Sequence, residues 1–224
     1  MKLLLIGFGR MGRLVEQLAR EEGHEIVGRI TSASAAADWP AADVAIDFST
    51  GDAVPANVPR LADRRIHAVI GTTGWRAHEA EMRAVAERAG IGVVASANFS
   101  IGVNIFEMLA AEAARLMYSQ PDYGAWIHEA HHAGKKDAPS GTAILLRDAM
   151  TNTGFGRPID ISSTRAGSIP GTHTVGFDGP SDTIELTHTA RDRRGFAKGA
   201  LVAARWVHNR RGWFSMKDVL RGTT

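Results

Sequence analysis

The chain opens with a short apolar run that ends in glycines. Residues 2–6 (KLLLI) precede the turn sequence GFGRMG, and apolar side chains then recur at Met11, Leu14, Val15 and Leu18. A continuous apolar run is typical of a buried strand, and spacing of three and four residues is typical of an amphipathic helix. The pattern therefore predicts a strand, a tight turn and a helix, in that order.

The same alternation continues through the first hundred residues. Apolar runs at 25–30, 44–50, 67–74 and 91–100 end in small or polar residues, and helical patterns such as 76–89 separate them. Strands that lack polar alternation are typical of a parallel sheet covered by helices on both faces. The N-terminal part is therefore predicted to be an α/β domain.

The pattern changes from Val103 onward. Apolar positions over 103–116 predict a long helix, and a further helix is predicted near 196–207. Between these two lie a helical pattern at 141–151 and strand-like segments at 124–130, 159–165, 172–177 and 182–189. This order predicts a central α+β domain with a mixed or antiparallel sheet and helices on one side.

Composition restricts the class of protein. The 224 residues are 44% hydrophobic and 22% charged, and the net charge is +2. The absence of cysteine excludes disulfides and thiolate metal sites. The basic stretch 191–211 favours a solvated surface or an anion pocket over a nucleic-acid interface. No apolar run is long enough for a signal peptide core or a membrane span. We expect a cytoplasmic protein that binds neither nucleic acid nor membrane.

The glycine turn has the spacing of a dinucleotide site. Gly7 would make the tight turn, Gly9 would let the backbone approach a pyrophosphate, and Gly12 would let helix and strand pack closely. The strand before it and the helix after it are the context that this motif requires, because the helix N-terminus faces the phosphates. The alternative is a plain glycine-rich turn.

The position that selects between the two nicotinamide cofactors carries no acid. About twenty residues beyond such a turn an acidic side chain usually binds the ribose hydroxyls of NAD. Here Thr31 and Ser32 occupy that place, with Arg29 beside them. The sequence predicts that Thr31 contacts the cofactor and that NADPH is preferred, with NADH as a second cofactor. The alternative is a polar loop that does not contact the adenosine.

The stretch WIHEAHHAGKKDAPSGTA contains a literal H-E-x-x-H, formed by His128, Glu129 and His132. This zinc motif needs a helix, so that the two histidines lie on one face four residues apart. Gly124 and Gly134 bound the segment closely, and its residues suit a strand. We therefore predict no metal site.

Two interpretations remain open for the residues that follow: a substrate site or a solvated loop. A histidine–lysine cluster at His131, His132 and Lys135 supplies proton donors and positive charge for an anionic substrate. The backbone N–H groups of Gly141 and Thr142 would form a seat for a carboxylate at a helix N-terminus. The alternative is a solvated loop followed by an ordinary serine N-cap.

Five motifs occur in order over nearly the whole chain: GFGRMGR, GTTG, SANFSIGVN, EAHHAGKKDAPSGTA and GFAKGALVAARWV. In these the chain resembles the dihydrodipicolinate reductases, enzymes of lysine and diaminopimelate biosynthesis. The resemblance implies a Rossmann dinucleotide-binding domain made of residues 1–99 and 197–224. It also implies a substrate-binding domain, 100–196, that assembles a homotetramer.

The resemblance also implies roles for single residues. His131 and Lys135 match the family's catalytic proton donors, although the sequence leaves open which of them donates. His132, Gly141 and Thr142 match the groups that bind the substrate carboxylates. The matching cofactor-binding positions are Gly7, Phe8, Gly9, Arg10, Met11, Gly12, Gly71, Thr72, Thr73, Ser96, Ala97, Asn98 and Phe99.

The implied activity is NAD(P)H-dependent reduction of 4-hydroxy-tetrahydrodipicolinate to tetrahydrodipicolinate, a small dicarboxylate. The chain departs from many members in having Thr31-Ser32 in place of an acid and in a short alanine-rich stretch between Arg29 and Asp43. Two other functions remain. One is a non-catalytic NADP-binding redox sensor, and the other is a different NADP-dependent dehydrogenase of amino-acid metabolism.

Overall fold

The computed structural model describes residues 1–34 and 39–222. Part of the alanine-rich stretch therefore lies outside the described residues. The chain divides into two compact units. Unit 1 combines Met1–Ile101 with the chain from Arg194 onward, and unit 2 is Gly102–Arg193.

Strands and helices alternate along the first half of the chain. In order, they are β1 (Lys2–Ile6), α1 (Arg10–Glu21), β2 (Glu25–Ile30), β3 (Val44–Asp47), α2 (Val54–Asp63), β4 (His67–Ile70), α3 (Glu79–Ala89), β5 (Gly92–Ala95) and α4 (Ile101–Met117). The second half contains β6 (Gly124–His131), α5 (Gly141–Thr151), β7 (Ile159–Arg165), β8 (Thr172–Asp178), β9 (Thr183–Thr189), α6 (Arg194–Val207), β10 (Gly212–Phe214) and α7 (Met216–Arg221).

Unit 1 is a six-stranded parallel sheet in the order β10-β5-β4-β3-β1-β2. Alternate residues of its strands enter two different cores. Leu3 and Leu5 pack with α1, α6 and α7, whereas Leu4 and Ile6 pack with α2 and α3. Helices therefore cover both faces, which is why the central strands are mostly apolar.

Helix α6 lies close to the backbone that follows β5. A Cβ on Gly199 would overlap the carbonyl of Phe99, so glycine is needed for this approach. Two arginines of the basic stretch form ion pairs with the end of α1: Arg194 with Glu21 and Arg205 with Glu22. These pairs therefore neutralise part of the positive charge of the stretch 191–211 within unit 1.

Unit 2 is a four-stranded sheet in the order β7-β6-β8-β9. Strands β6 and β7 are parallel and the other two pairs are antiparallel, so the sheet is mixed as predicted. Helices α4 and α5 pack on one face through Phe106, Leu146 and Met150 against Ile127 and Val175. The odd-numbered residues of β6 thus face the helices.

The predicted strands and helices are confirmed, although β3, β4 and β5 are shorter than the apolar runs that predicted them. The sequence did not predict β10 and α7, because a three-residue strand and a six-residue helix are too short for a clear period. No helix in the described part of the chain is long and apolar enough to cross a membrane.

Candidate cofactor and substrate sites

The turn between β1 and α1 can be built only with glycine at two positions. Gly7 has φ of 84°, and a Cβ there would overlap the Phe48 backbone. A Cβ on Gly12 would overlap the carbonyl oxygen of Gly7. Gly9, in contrast, has open space where a Cβ would point. The outer surface of the turn is thus free for close approach of a ligand.

The N-terminus of α1 is suited to an anion. Its N-cap residue, Gly9, supplies no side-chain hydrogen bond to the helix. The first turn, which contains Arg10 and Met11, has no acidic residue. The N–H groups of the first helical turn have no partner within the helix, and the helix dipole makes this end positive. The pyrophosphate of a nicotinamide dinucleotide fits this arrangement.

A cleft of about 730 Å³ adjoins the turn. Gly7, Phe8 and Gly9 line one part of it, and Thr31 lines another part just after β2. The α2 side is formed by a helical face that includes Arg60. The cleft therefore joins the phosphate turn to the position where a ribose hydroxyl or 2′-phosphate is read.

The arginine beside Thr31 is already paired. Arg29 forms an ion pair with Glu16 through two of its nitrogens, and its guanidinium lies 5.1 Å from the Phe8 ring centroid. The hydrogen bond from Arg29 is the largest cause of the lowered pKa of Glu16. The sequence suggested Arg29 as a phosphate contact, but the arginine that lines the cleft is Arg60.

A buried carboxylate that the sequence did not indicate organises the ends of β3 and β4. Asp47 is 1% exposed and accepts hydrogen bonds from Ser49 N at 2.9 Å, Asn57 Nδ2 at 2.9 Å and Thr72 Oγ1 at 2.8 Å. The Thr72 hydroxyl is thereby used within the protein. The one signal for Asp47 in the sequence was an acid at the end of an apolar strand.

The remaining cofactor positions follow β4 and β5 at the same edge of the sheet. Gly71, Thr72 and Thr73 follow β4, whereas the segment 96–99 (SANF) follows β5. Among the described residues, neither segment lines the 730 Å³ cleft. Ser96 and Asn98 fold the second segment through local hydrogen bonds, and Phe99 is 1% exposed within the core. Any contact from position 99 must therefore use the backbone.

The H-E-x-x-H stretch is a strand, as predicted. His128 and Glu129 lie in β6, and the strand ends at His131, so no helix brings His128 and His132 together. His128 Nδ1 is 2.9 Å from Ser162 Oγ of β7. Glu129 points to the opposite face, toward α5, as alternation in a strand requires.

Glu129 is the centre of the polar cluster in unit 2. It is 0% exposed, and Arg165 donates to both of its oxygens, from Nη1 at 2.9 Å and from Nη2 at 2.7 Å. His131 Nδ1 and the backbone N–H of Ser140 also contact the carboxylate. Burial alone would raise the pKa of Glu129, but hydrogen bonds from Arg165, Ser163 and His131 outweigh it and hold the pKa at about 2.

A second histidine adjoins this cluster. The His173 ring centroid lies 5.1 Å from that of His131, and its Nε2 is 2.9 Å from Ser140 Oγ. Burial, followed by the charge of His131, lowers the pKa of His173 to about 4. A neutral His173 can thus accept a hydrogen bond from Ser140. Neither His173 nor Arg165 was identified from the sequence.

The loop after β6 connects the other predicted substrate residues. His132 is exposed, and its carbonyl accepts from Lys135 N at 3.1 Å, which closes a turn. Lys135 Nζ contacts both carboxylate oxygens of Asp137 at 2.8 Å. Arg165 Nη2 donates to the Asp137 carbonyl at 2.6 Å, so one arginine holds the loop against the Glu129 cluster.

Helix α5 starts beside this cluster. Ser140 is its N-cap and accepts from Ala143 N at 3.2 Å, while Gly141 and Thr142 form its first turn. Gly141 is exposed and has open space at its Cβ position. A carboxylate can reach the free N–H groups of this turn. The structure thus brings His131, His132, Lys135, Gly141 and Thr142 to one end of unit 2.

We predict that the purified protein contains no stoichiometric zinc and retains its activity in a strong chelator. Glu129, His131 and His173 have ligand-type atoms within 4.8 Å of one another, so the geometry alone admits a metal ion. The Arg165 guanidinium, however, occupies both Glu129 oxygens and would repel a divalent cation. Elemental analysis measures the zinc content. One tightly bound zinc per chain whose removal abolishes activity contradicts this prediction.

Comparison with known proteins assigns the chain to a family. The family model described as dihydrodipicolinate reductase, N-terminus, matches residues 1–99, and that described as dihydrodipicolinate reductase, C-terminus, matches residues 102–220. The 4-hydroxy-tetrahydrodipicolinate reductase of Christiangramia forsetii is 38% identical over 233 residues, covering 98% of each chain. That of Methanoregula boonei is 41% identical over 193 residues, covering 80% of this chain and 74% of its own.

Solved structures agree on the fold. The dipicolinate-bound dihydrodipicolinate reductase from Paenisporosarcina sp. TG-14 is similar to this chain with a TM-score of 0.82 and 22% identity. The similarity covers 96% of this chain and 97% of the other. Both halves of the sequence and the whole fold thus match one family, and the chain belongs to the dihydrodipicolinate reductases.

Proposed function

We propose that this protein catalyses the NAD(P)H-dependent reduction of 4-hydroxy-tetrahydrodipicolinate to tetrahydrodipicolinate, a step of lysine and diaminopimelate biosynthesis. The observation that carries the proposal is the end of unit 2, where the segment from His131 to Lys135 leads into the N-terminus of α5 and the first N–H groups of that helix have no partner within it. Positive side chains and helix N–H groups suit a dianionic substrate. Family membership supports the same reaction.

The reaction balances with residues of this chain. One substrate, one NAD(P)H and one proton give tetrahydrodipicolinate, NAD(P)⁺ and water. The bound reduced nicotinamide supplies the hydride. His131 and Lys135 supply or hold the proton, and His132 with the N–H groups of Gly141 and Thr142 binds the substrate carboxylates. These proton-transfer and substrate-binding residues belong to β6, the following loop and α5.

A coupled assay tests this function. The preceding synthase forms the substrate from aspartate semialdehyde and pyruvate, and absorbance of the reduced nicotinamide reports its oxidation. We expect oxidation that depends on both the synthase and this protein. Tight NADPH binding without turnover would favour the redox sensor, and turnover of a different amino-acid precursor would favour another dehydrogenase.

The finer cofactor choice is also a proposal. NADPH is preferred and NADH is used as well, because Thr31 carries no charge that would repel a 2′-phosphate. Arg60 supports this preference, since it lines the same cleft and supplies positive charge. Gly7–Gly12 bind the pyrophosphate. Backbone and side-chain groups of 71–73 and 96–99 bind the nicotinamide half.

Thr31→Asp is expected to shift the ratio of kcat/KM values toward NADH by about tenfold or more, since 1.4 kcal/mol of differential binding is a factor of ten. The new carboxylate would accept hydrogen bonds from the ribose hydroxyls and repel a 2′-phosphate. Thr31→Asn is the matched control, because it has a similar shape without the charge. A wild type that favours NADH, or an unchanged ratio in Thr31→Asp, contradicts the prediction.

We expect the protein to form a homotetramer through the domain 100–196. Unit 2 exposes large apolar side chains, among them Leu109 and Leu116 of α4 and Ile184 of β9. Such side chains favour self-association. Light scattering at micromolar concentration should give the mass of four copies of the 24.0 kDa chain. A mass of 24.0 kDa contradicts the prediction.

We also assign the enzyme to the cytoplasm, on the basis of its biosynthetic role.

A further inference from the structure

We propose that Glu129, held by Arg165, is a positioning residue that fixes His131 with its Nδ1 protonated and its Nε2 directed to the substrate. The inference rests on the proposed function, which gives His131 its part in catalysis. Glu129 is 0% exposed, so its role is to orient the histidine and not to touch the reacting atoms. Glu129 and Arg165 both act through the histidine.

The register of the sheet builds the cluster. Glu129 on the central strand β6 is paired with Ser163 of β7 and with His173 of β8. His131 follows two residues later on the same face, and Arg165 is its partner on β7. A carboxylate, a guanidinium and two imidazoles are therefore placed together on the face that α5 covers.

The hydrogen bonds fix which nitrogen of His131 carries the proton. A carboxylate held ionised can only accept, so the His131 Nδ1 that contacts Glu129 must be the donor. In the neutral ring Nε2 then carries the free lone pair, and in the charged ring Nε2–H is the proton that can be donated. The partner of one ring nitrogen thus decides what the other nitrogen can do.

Arg165 keeps the carboxylate in the state that this role needs. It donates to both Glu129 oxygens in a bidentate pair, which is the strongest geometry for this ion pair. Its further bond, to the Asp137 carbonyl, ties the Lys135 loop to the same carboxylate. The pair therefore sets the orientation of His131 and holds the Lys135 loop in place.

The groups that face His131 come from three directions. Glu129 precedes it on β6, Arg165 is its neighbour on β7, and His173 faces it from β8. Lys135 and Asp137 lie in the loop beyond. Of these, Glu129 is the one with a hydrogen bond to a ring nitrogen of His131, so its removal is the direct test.

The test replaces the ion pair as a whole. Removing only one partner would leave a buried unpaired charge, whereas replacing both by apolar residues of similar volume is tolerated in many proteins. We therefore compare wild type with the double variant Glu129→Leu, Arg165→Met. The control is the double variant Tyr123→Phe, Asp182→Asn, which removes a 2.6 Å hydrogen bond elsewhere in unit 2.

Two readouts are expected to change together. Nitrogen-15 NMR of the histidine rings, with His131 assigned by difference from His131→Ala, should report Nδ1–H in neutral wild type and loss of that preference in the double variant. The kcat should fall about 10- to 100-fold, a part of what a placed general acid contributes, while the dissociation constant of NADPH stays unchanged. The control should keep the wild-type values of both.

Two outcomes overturn the proposal. One is a wild-type His131 that carries its neutral proton on Nε2, a result that does not depend on whether the double variant folds. The other is a folded double variant, judged by its thermal transition, that keeps the Nδ1–H signature or the wild-type kcat. Because the nitrogen spectrum requires no turnover, it is independent of the coupled assay. A wild type with Nδ1–H but no reductase activity would refute the proposed function alone.

Discussion

His131→Ala is expected to lower kcat by about 10²–10⁴-fold, the contribution of a positioned general acid or base. Its side chain combines a buried carboxylate partner with a place at the end of β6. Steady-state kinetics with saturating NADPH measures the loss. The dissociation constant of NADPH should stay unchanged, because the glycine turn and its cleft belong to unit 1.

His128→Ala is the matched control for this prediction. His128 lies on the same strand, points to the other face and contacts Ser162, so its removal should leave kcat near the wild-type value. An equal loss of cofactor affinity in His131→Ala would mean that the residue is structural or binds the cofactor. Equal losses of kcat in both variants would mean that general disruption of β6 is the cause.

Lys135→Ala is expected to lower kcat/KM by about 10²-fold or more, through loss of a proton donor and of positive charge for the dianion. The ammonium is held in place by two contacts of 2.8 Å to Asp137. The hydrogen bond from Lys135 lowers the pKa of Asp137, as expected for a charged pair. Initial rates over a range of substrate concentrations separate the effect on kcat from that on KM.

The adjacent lysine supplies the control. Lys136 is exposed, and Lys136→Ala removes the same charge one position along the chain. It should change kcat/KM by much less than Lys135→Ala. Similar losses in the two variants would show that the general positive potential of the loop matters and that Lys135 has no specific role.

Local sequence signals predicted much of the architecture. The apolar runs identified β1, β3, β4 and β5 because a strand buried on both faces needs few polar positions. Ser140 identified the start of α5, since its side chain caps that helix. The prediction that the H-E-x-x-H stretch is a strand was also correct, because glycines at 124 and 134 leave too little room for a helix.

The polar clusters could not be predicted in the same way. The role of Glu129 depends on its contacts with the cluster that contains Arg165 and His173. These residues are distant in the sequence and come together only through the register of three strands. The pairing of Arg29 with Glu16 likewise depends on how α1 lies against β2. Periodicity reports which face a residue occupies, but it does not report its partner on a neighbouring element.

The discontinuity of unit 1 has a consequence for synthesis on the ribosome. Helix α6 supplies Ala200, Leu201 and Ala204 to the core that also contains Leu3 and Val15, yet it is translated after all of unit 2. The N-terminal part of unit 1 must therefore wait with part of one sheet face uncovered, and exposed apolar surface of this kind favours aggregation and chaperone binding. Unit 2 is continuous and can fold during that interval. In the nascent chain, unit 2 can thus finish folding before unit 1 does.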